Sequence, residues 1–423
     1  MKMIIIIILF FQPLYFNELK FDIQGRNFAL TYFHVGTPPK NIPVILSTYT
    51  DKLIFINNPG TMSYDINSSD TVKKTNNEYF FYFPYIYNNF KITFKIVEDI
   101  IFYQSKKSKF YFGYSNDANS NELIKEIRFQ ELGIFGISKS NNLTDKYNFI
   151  NQLINNKIID KRLIYFQNIK NGTTFRNIQF GIYPKIFNKS SNNNSTFECK
   201  MIEKYNTNRI CIAKRIIFGK YNNVQQYYNN SFIINEKVDF TYNTNNYHIF
   251  PLKYKEIFDN IIKKNKNCSY IEWYHYSLWS CRNHNDFPKI SLVINHTIIN
   301  MHNILIEKIG NGFPALIILF KDNIDTIELS VQHMTYKGFS VLFDDENNII
   351  KFLSNVTKDI IKIDYDSDEY TNILLYVIIA LVLIVIISII FNGLFYKKKK
   401  VKYEKISTVP KNENNIIEEN KLN

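Results

Sequence analysis

The sequence predicts a large, mostly β ectodomain held to a membrane by one C-terminal helix. Three observations lead there. Short runs of β-branched and aromatic residues, bounded by clusters of Asn, Ser, Gly and Pro, recur from Phe28 to Phe343. Only two segments carry helical periodicity. Ile373 to Tyr396 is apolar and uncharged, and Lys397-Lys398-Lys399-Lys400 follows it at once.

Taken in order, the chain begins Met1-Lys2-Met3, then an apolar run Ile4 to Phe11 closed by Gln12-Pro13. That pattern predicts a secretory signal over residues 1–16, too short to span a bilayer. Strands are expected at Phe28–His34, Ile42–Leu46, Lys52–Ile56, Phe90–Val97, Ile178–Ile182, Ile290–Val293 and Phe339–Phe343. Helices are expected at Phe149–Ile159, where Phe149, Leu153 and Ile154 share a face, and at Pro251–Lys264, where Tyr254, Ile257, Phe258 and Ile261 do. Residues 373–396 have the length of a membrane span, and the lysines after it set the cytosolic side. The expected product is a single-pass type I protein of the secretory pathway, with its ectodomain lumenal or extracellular and residues 397–423 as a cytosolic tail.

The composition fits a folded ectodomain. Hydrophobic residues make up 45% and charged residues 21% of 423, which excludes a disordered or collagen-like chain and leaves ample material for two lobes. The net charge is +13, but the lysines are scattered and their densest run flanks the membrane span. No nucleic-acid partner is expected. Cys199, Cys211, Cys268 and Cys281 lack the C-x-x-C spacing of zinc or redox sites, and in an oxidising lumen they predict two disulfides. Of the three pairings, Cys199–Cys211 with Cys268–Cys281 is preferred, because each pair could close a hairpin. The seven histidines show no ligand spacing, so neither metal nor cofactor is expected.

Ala29 to Phe55 reads ALTYFHVGTPPKNIPVILSTYTDKLIF. It resembles the first strands and active-site loop of the pepsin-like aspartic proteases: an aromatic strand, Gly36-Thr37-Pro38-Pro39, the apolar strand Val44-Ile45-Leu46, then the place of Asp-Thr-Gly. Further matches follow in order at Leu132-Gly133-Ile134-Phe135-Gly136, Asn151-Gln152-Leu153 through Tyr165, Phe180-Gly181, Phe287-Pro288-Lys289-Ile290 and Val341-Leu342-Phe343-Asp344. The plan is most similar to the membrane-anchored plasmepsin type. The resemblance implies a bilobal fold with lobes at 20–190 and 195–360.

It also implies a chemistry, in which two carboxylates share one proton and activate water. Here Ser47-Thr48-Tyr49 stands in the first motif. Counting back from Pro251 puts Tyr242-Asn243-Thr244 in the second. Neither contains an acid, and a hydroxyl without a partner base cannot replace one. Tyr87 corresponds to the flap tyrosine. Asp239, just upstream of the second motif, is the outside candidate for a relocated acid; Asp51 and Asp239 otherwise read as surface acids. Tyr49 and Tyr242 are expected to crowd the cleft floor. The expectation is a catalytically inactive homologue binding a peptide or protein partner through Ser47, Thr48, Tyr49, Tyr87, Tyr242, Asn243 and Thr244. Its rivals are an active endopeptidase with an atypical dyad, and an adhesion or receptor ectodomain on the same fold.

Overall fold

A computed structural model describes residues 19–23, 30–57, 63–85, 88–103, 106–116, 133–140, 142–167, 176–189, 196–202, 208–219, 231–242, 247–273, 276–295, 297–309, 312–354, 360–362 and 378–392. The signal segment 1–16, Tyr87, Asn243, Thr244 and the tail 397–423 lie outside these residues. The chain divides into a compact unit through Ile363 and a second from Asp364 onward.

The first unit is mostly β. Its N-terminal sheet has seven strands in the order Leu30–Val35, Lys40–Ser47, Gly133–Gly136, Leu53–Ile56, Lys106–Ser115, Asn88–Tyr103 and Lys73–Tyr85. An eight-stranded sheet is built from the C-terminal half and includes Ser231–Thr241, Thr326–Ser330 and His248–Pro251. A six-stranded sheet draws on both halves, pairing Leu163–Phe166 with Phe339–Asp344. A small four-stranded sheet carries the hairpin Cys268–Trp273/Tyr276–Cys281.

One strand pattern occurs twice. Lys40–Ser47 and Leu53–Ile56 follow one another in sequence, yet Gly133–Gly136 lies between them, parallel to the first and antiparallel to the second. Likewise Thr326–Ser330 lies between Ser231–Thr241 and His248–Pro251, with the same directions. The registers correspond residue for residue. Ile45 faces Ile134 and Ser47 faces Gly136 in one copy; Asp239 faces Glu328 and Thr241 faces Ser330 in the other. Leu53–Ile56 and Gly133–Gly136 are buried at every position, as strands covered on both faces should be, whereas Thr326–Ser330 leaves Thr326 and Glu328 partly exposed. Gly136 is required by the crossing itself. A Cβ there would sit 2.4 Å from the Lys52 carbonyl oxygen and 2.6 Å from the Thr50 carbonyl oxygen, both backbone atoms that cannot move aside.

One large core cluster joins the sheets, running from Phe33 and Phe135 through Phe166 and Phe240 to Phe352. The opposite face of the N-terminal sheet has its own cluster of Ile45, Ile54, Ile92, Phe94 and Ile134. The first predicted helix is shorter than expected, Phe149–Asn155, capped by Asn148, whose side chain accepts from the Asn151 N–H at 2.8 Å. It stops because Lys157 turns to φ 55°, outside the helical region. The second begins as a 3-10 turn, Leu252–Tyr254, and continues as Lys255–Ile262, burying Tyr254, Phe258 and Ile262.

Both disulfides pair as expected, with Cα separations of 6.3 Å for Cys199–Cys211 and 4.0 Å for Cys268–Cys281. Cys268 and Cys281 do face one another across a hairpin. Cys199 and Cys211 do not: they lie on strands of different sheets, so that bridge fastens the six-stranded sheet to the C-terminal one.

In the second unit, residues 378–392 are helical. Among the described residues no helix is long and apolar enough to cross a membrane. Residues 373–377 and 393–396 of the expected span lie outside the described residues.

Candidate functional site

The two repeated motifs meet where their first strands end. Thr48, one residue past Ser47, donates its N–H to the Tyr242 carbonyl oxygen at 2.9 Å. Its Oγ1 accepts from the Tyr242 N–H at 3.0 Å and lies 3.4 Å from the same carbonyl oxygen. Thr48 and Tyr242 are therefore the facing pair, and Ser47 and Thr241 are the matched residues just before them. This corrects the sequence alignment by one residue: Thr241, not Tyr242, is the counterpart of Ser47. Tyr242 also fails to crowd a cleft floor. Its ring is buried and stacked on Phe166, with centroids 4.9 Å apart and an 18° interplanar angle.

Neither strand end offers an acid, nor an open hydroxyl. Ser47 is 0% exposed and accepts from the Tyr49 N–H at 3.2 Å, and Thr241 is 2% exposed. Hydroxyls so enclosed have no open access to the water they would have to activate. Behind Thr241, the Ser330 N–H donates to His248 Nδ1 at 3.2 Å. Burial holds His248 down to about 3, so that ring is neutral and structural.

An acid pair does exist, two residues back. Asp239 and Glu328 face each other on adjacent parallel strands, at the positions where the N-terminal copy has Ile45 and Ile134. Asp239 is 8% exposed, which overturns its reading as a surface acid. Burial, then the charge of Glu328, pushes its carboxyl up to about 7, against the opposing influence of Arg209 and of hydrogen bonds from the Arg209 backbone and the Asn208 amide. Glu328 is partly exposed, and desolvation raises its carboxyl too, while Tyr49 and Lys321 act in the opposite direction. The Tyr49 hydroxyl reaches across from the N-terminal half and donates to Glu328 Oε2 at 3.0 Å.

Arg209 fixes this seam. It is 2% exposed and forks onto Asp345, with Nε to Oδ1 at 3.0 Å and Nη2 to Oδ2 at 2.7 Å. Its Nη1 donates to the Ile137 carbonyl oxygen at 2.9 Å.

Beside the acid pair runs a groove of about 460 Å³. One wall is aromatic: Tyr79, Phe80 and Phe81 from the long hairpin Lys73–Tyr85/Asn88–Tyr103, with Phe94. The other wall is polar and includes Tyr49, Thr50, Ser138 and Asn208. Asp51 also lines it, and is not a free surface acid: Lys52 Nζ lies 2.9 Å from Asp51 and 3.1 Å from Asp145. A larger cavity of about 770 Å³ shares only Phe94 with this groove and touches neither repeated strand end. It is the less informative of the two for that reason.

Of the residues the sequence singled out, Ser47, Thr48, Tyr49, Tyr242 and Asp239 come together at this seam. Tyr87, Asn243 and Thr244 lie outside the described residues. Glu328, Arg209 and Asn208 were missed. Among the described residues no group of three or more His, Cys, Asp or Glu side chains is placed to hold a metal ion. No family model and no curated protein matches the chain.

Proposed function

We propose that this chain is a pepsin-like, single-pass type I membrane protein of the secretory pathway whose bilobal ectodomain binds a peptide or protein segment without hydrolysing it. The lobes correspond to 20–190 and 195–360, and the anchor to 373–396. The single observation behind the inert reading is that both matched strand ends, Ser47 and Thr241, present enclosed hydroxyls where the family's reaction needs two carboxylates. The doubled strand motif and the reciprocal Thr48–Tyr242 hydrogen bonds support the pepsin-like reading. The groove beside the seam, with an aromatic wall and a polar wall, suits an extended segment with alternating side chains.

The Asp239–Glu328 pair favours a second reading, an aspartic-type endopeptidase with a displaced dyad. Its acids lie on neighbouring strands of a single sheet, not on the facing strand ends, which is why it ranks second. Full-length protein incubated with quenched fluorescent peptide pools from about pH 4 to about pH 7 separates the two. The binding reading expects no cleavage and no pepstatin binding. Cleavage that disappears in Asp239→Asn establishes the endopeptidase instead.

A further inference from the structure

Asn67-Ser68-Ser69, Asn142-Leu143-Thr144 and Asn267-Cys268-Ser269 are the Asn-x-Ser/Thr triplets that lie wholly among the described residues, and the fold treats them differently. Two of them have their groups engaged. The Ser69 hydroxyl accepts from the Thr37 N–H at 3.0 Å, and the Asn67 side-chain oxygen faces Lys74 Nζ at 3.5 Å. Asn267 donates its side-chain amide to Asp286 Oδ1 at 3.4 Å, and Cys268 beside it closes the disulfide to Cys281. The third is a surface turn. Asn142, Leu143 and Thr144 are all exposed, Leu143 at 60%. Asn142 Oδ1 accepts from the Thr144 N–H at 2.9 Å and from Thr144 Oγ1 at 2.6 Å, the local turn that Asn side chains form with the residue two further on. The Asn142 carbonyl oxygen accepts from the Asp145 N–H at 3.0 Å and from the Asn151 side-chain amide at 3.1 Å, so the capped helix Phe149–Asn155 holds the turn in place. Among the described residues Asn142 Nδ2 makes no hydrogen bond. The turn stands at the groove, which Asn142 lines with Ser140 and Asp145.

We propose that Asn142 is an N-glycosylation site, so that an oligosaccharide stands at the rim of the groove. This rests on the lumenal reading of the ectodomain given above. The donor is an oligosaccharide linked to a lipid diphosphate. Asn142 Nδ2 attacks the anomeric carbon of its first sugar; the new C–N bond replaces the C–O bond to phosphate, the lipid diphosphate leaves with that electron pair, and the amide gives up one proton. The triplet supplies the acceptor amide and the third-position hydroxyl that this modification reads. The fold supplies room for the product, which is where the three triplets part. A glycan on Asn142 displaces no packing and breaks no hydrogen bond, because the atom that carries it points into solvent from a turn held by other atoms. Its bulk then borders the groove on the polar side, across from the aromatic hairpin.

The test uses the full chain made in a eukaryotic cell that N-glycosylates its own proteins. Peptides are released with peptide N-glycanase in heavy-oxygen water, which turns a glycosylated Asn into labelled Asp, and the label is placed by mass spectrometry. Most molecules should carry it at Asn142. Asn142→Gln and Thr144→Ala should each abolish it and remove the same increment of apparent mass on a gel, and Thr144→Ser should restore the increment in part. Thr144→Ala deletes only an exposed hydroxyl, so its effect is not one of folding. Protease added to sealed microsomes reports the side of the membrane without reference to any glycan. A protected ectodomain with Asn142 unlabelled, or with a label and gel position untouched by Thr144→Ala, overturns this inference and leaves the lumenal reading standing. An ectodomain digested in sealed microsomes overturns both.

Discussion

Asp239→Asn offers the sharpest test of the seam. The carboxyl is raised from 3.8 to about 7 by burial and by Glu328. Below pH 4 native and unfolded chains both hold the proton, and the shift has no effect on stability. Between pH 4 and pH 7 the unfolded chain has released it while the native chain retains it. The unfolded state then binds fewer protons, so stability falls as pH rises through this window. Roughly three pH units at 1.36 kcal/mol each give a penalty of up to about 4 kcal/mol, fully present above pH 7. Asparagine has the shape of the protonated acid and keeps an oxygen for Asn208 and for the Arg209 N–H. The variant should therefore match the parent near pH 4 and exceed it at pH 8. Urea unfolding followed by Trp273 and Trp279 fluorescence at pH 4, 6 and 8 reads this directly. Parallel stability–pH profiles, or a variant weaker than the parent at pH 8, would show that Asp239 does not hold its proton and would remove the basis for the acid-pair argument.

Two further outcomes follow from the repeated motif. Thr48→Val removes the acceptor of the Tyr242 N–H and should cost about 1–3 kcal/mol in urea unfolding, with Thr48→Ser restoring most of it; an unchanged midpoint would mean the tie contributes nothing. Gly136→Ala drives a methyl group into the Lys52 and Thr50 backbone and should cost more than about 3 kcal/mol, whereas Gly338→Ala, with open space around its Cβ but φ +100°, should cost roughly 1 kcal/mol; the reverse order in a thermal melt would contradict the crossing geometry.

Much of the strand layout was legible because alternation and turn residues are local signals. Phe339–Phe343 and Ile290–Val293 each fall within one residue of the observed strand. The helix faces were legible for the same reason, and its end at Asn155 was not, since nothing in Asn156-Lys157 announces a positive φ. The errors at the seam come from long-range pairing. Counting back from Pro251 crosses a loop whose length no pattern fixes, whereas the pairing of Thr241 with Ser330 fixes the position outright. Glu328 alternates with buried Ile327 and Leu329, so its face was readable, but its partnership with Asp239 depends on a parallel register between strands far apart in sequence. Cys199–Cys211 shows the converse: proximity in sequence gave the right pair and the wrong geometry.

The Arg209 fork has a mechanical meaning. One guanidinium holds Asp345, in the turn after Phe339–Asp344 of the six-stranded sheet, and the Ile137 carbonyl, just past Gly133–Gly136 of the N-terminal sheet, from a position beside the C-terminal sheet. Rotating either half about the seam would strand a buried charge, a cost of several kcal/mol. The placement of the sheets around the groove is thus set when the chain folds.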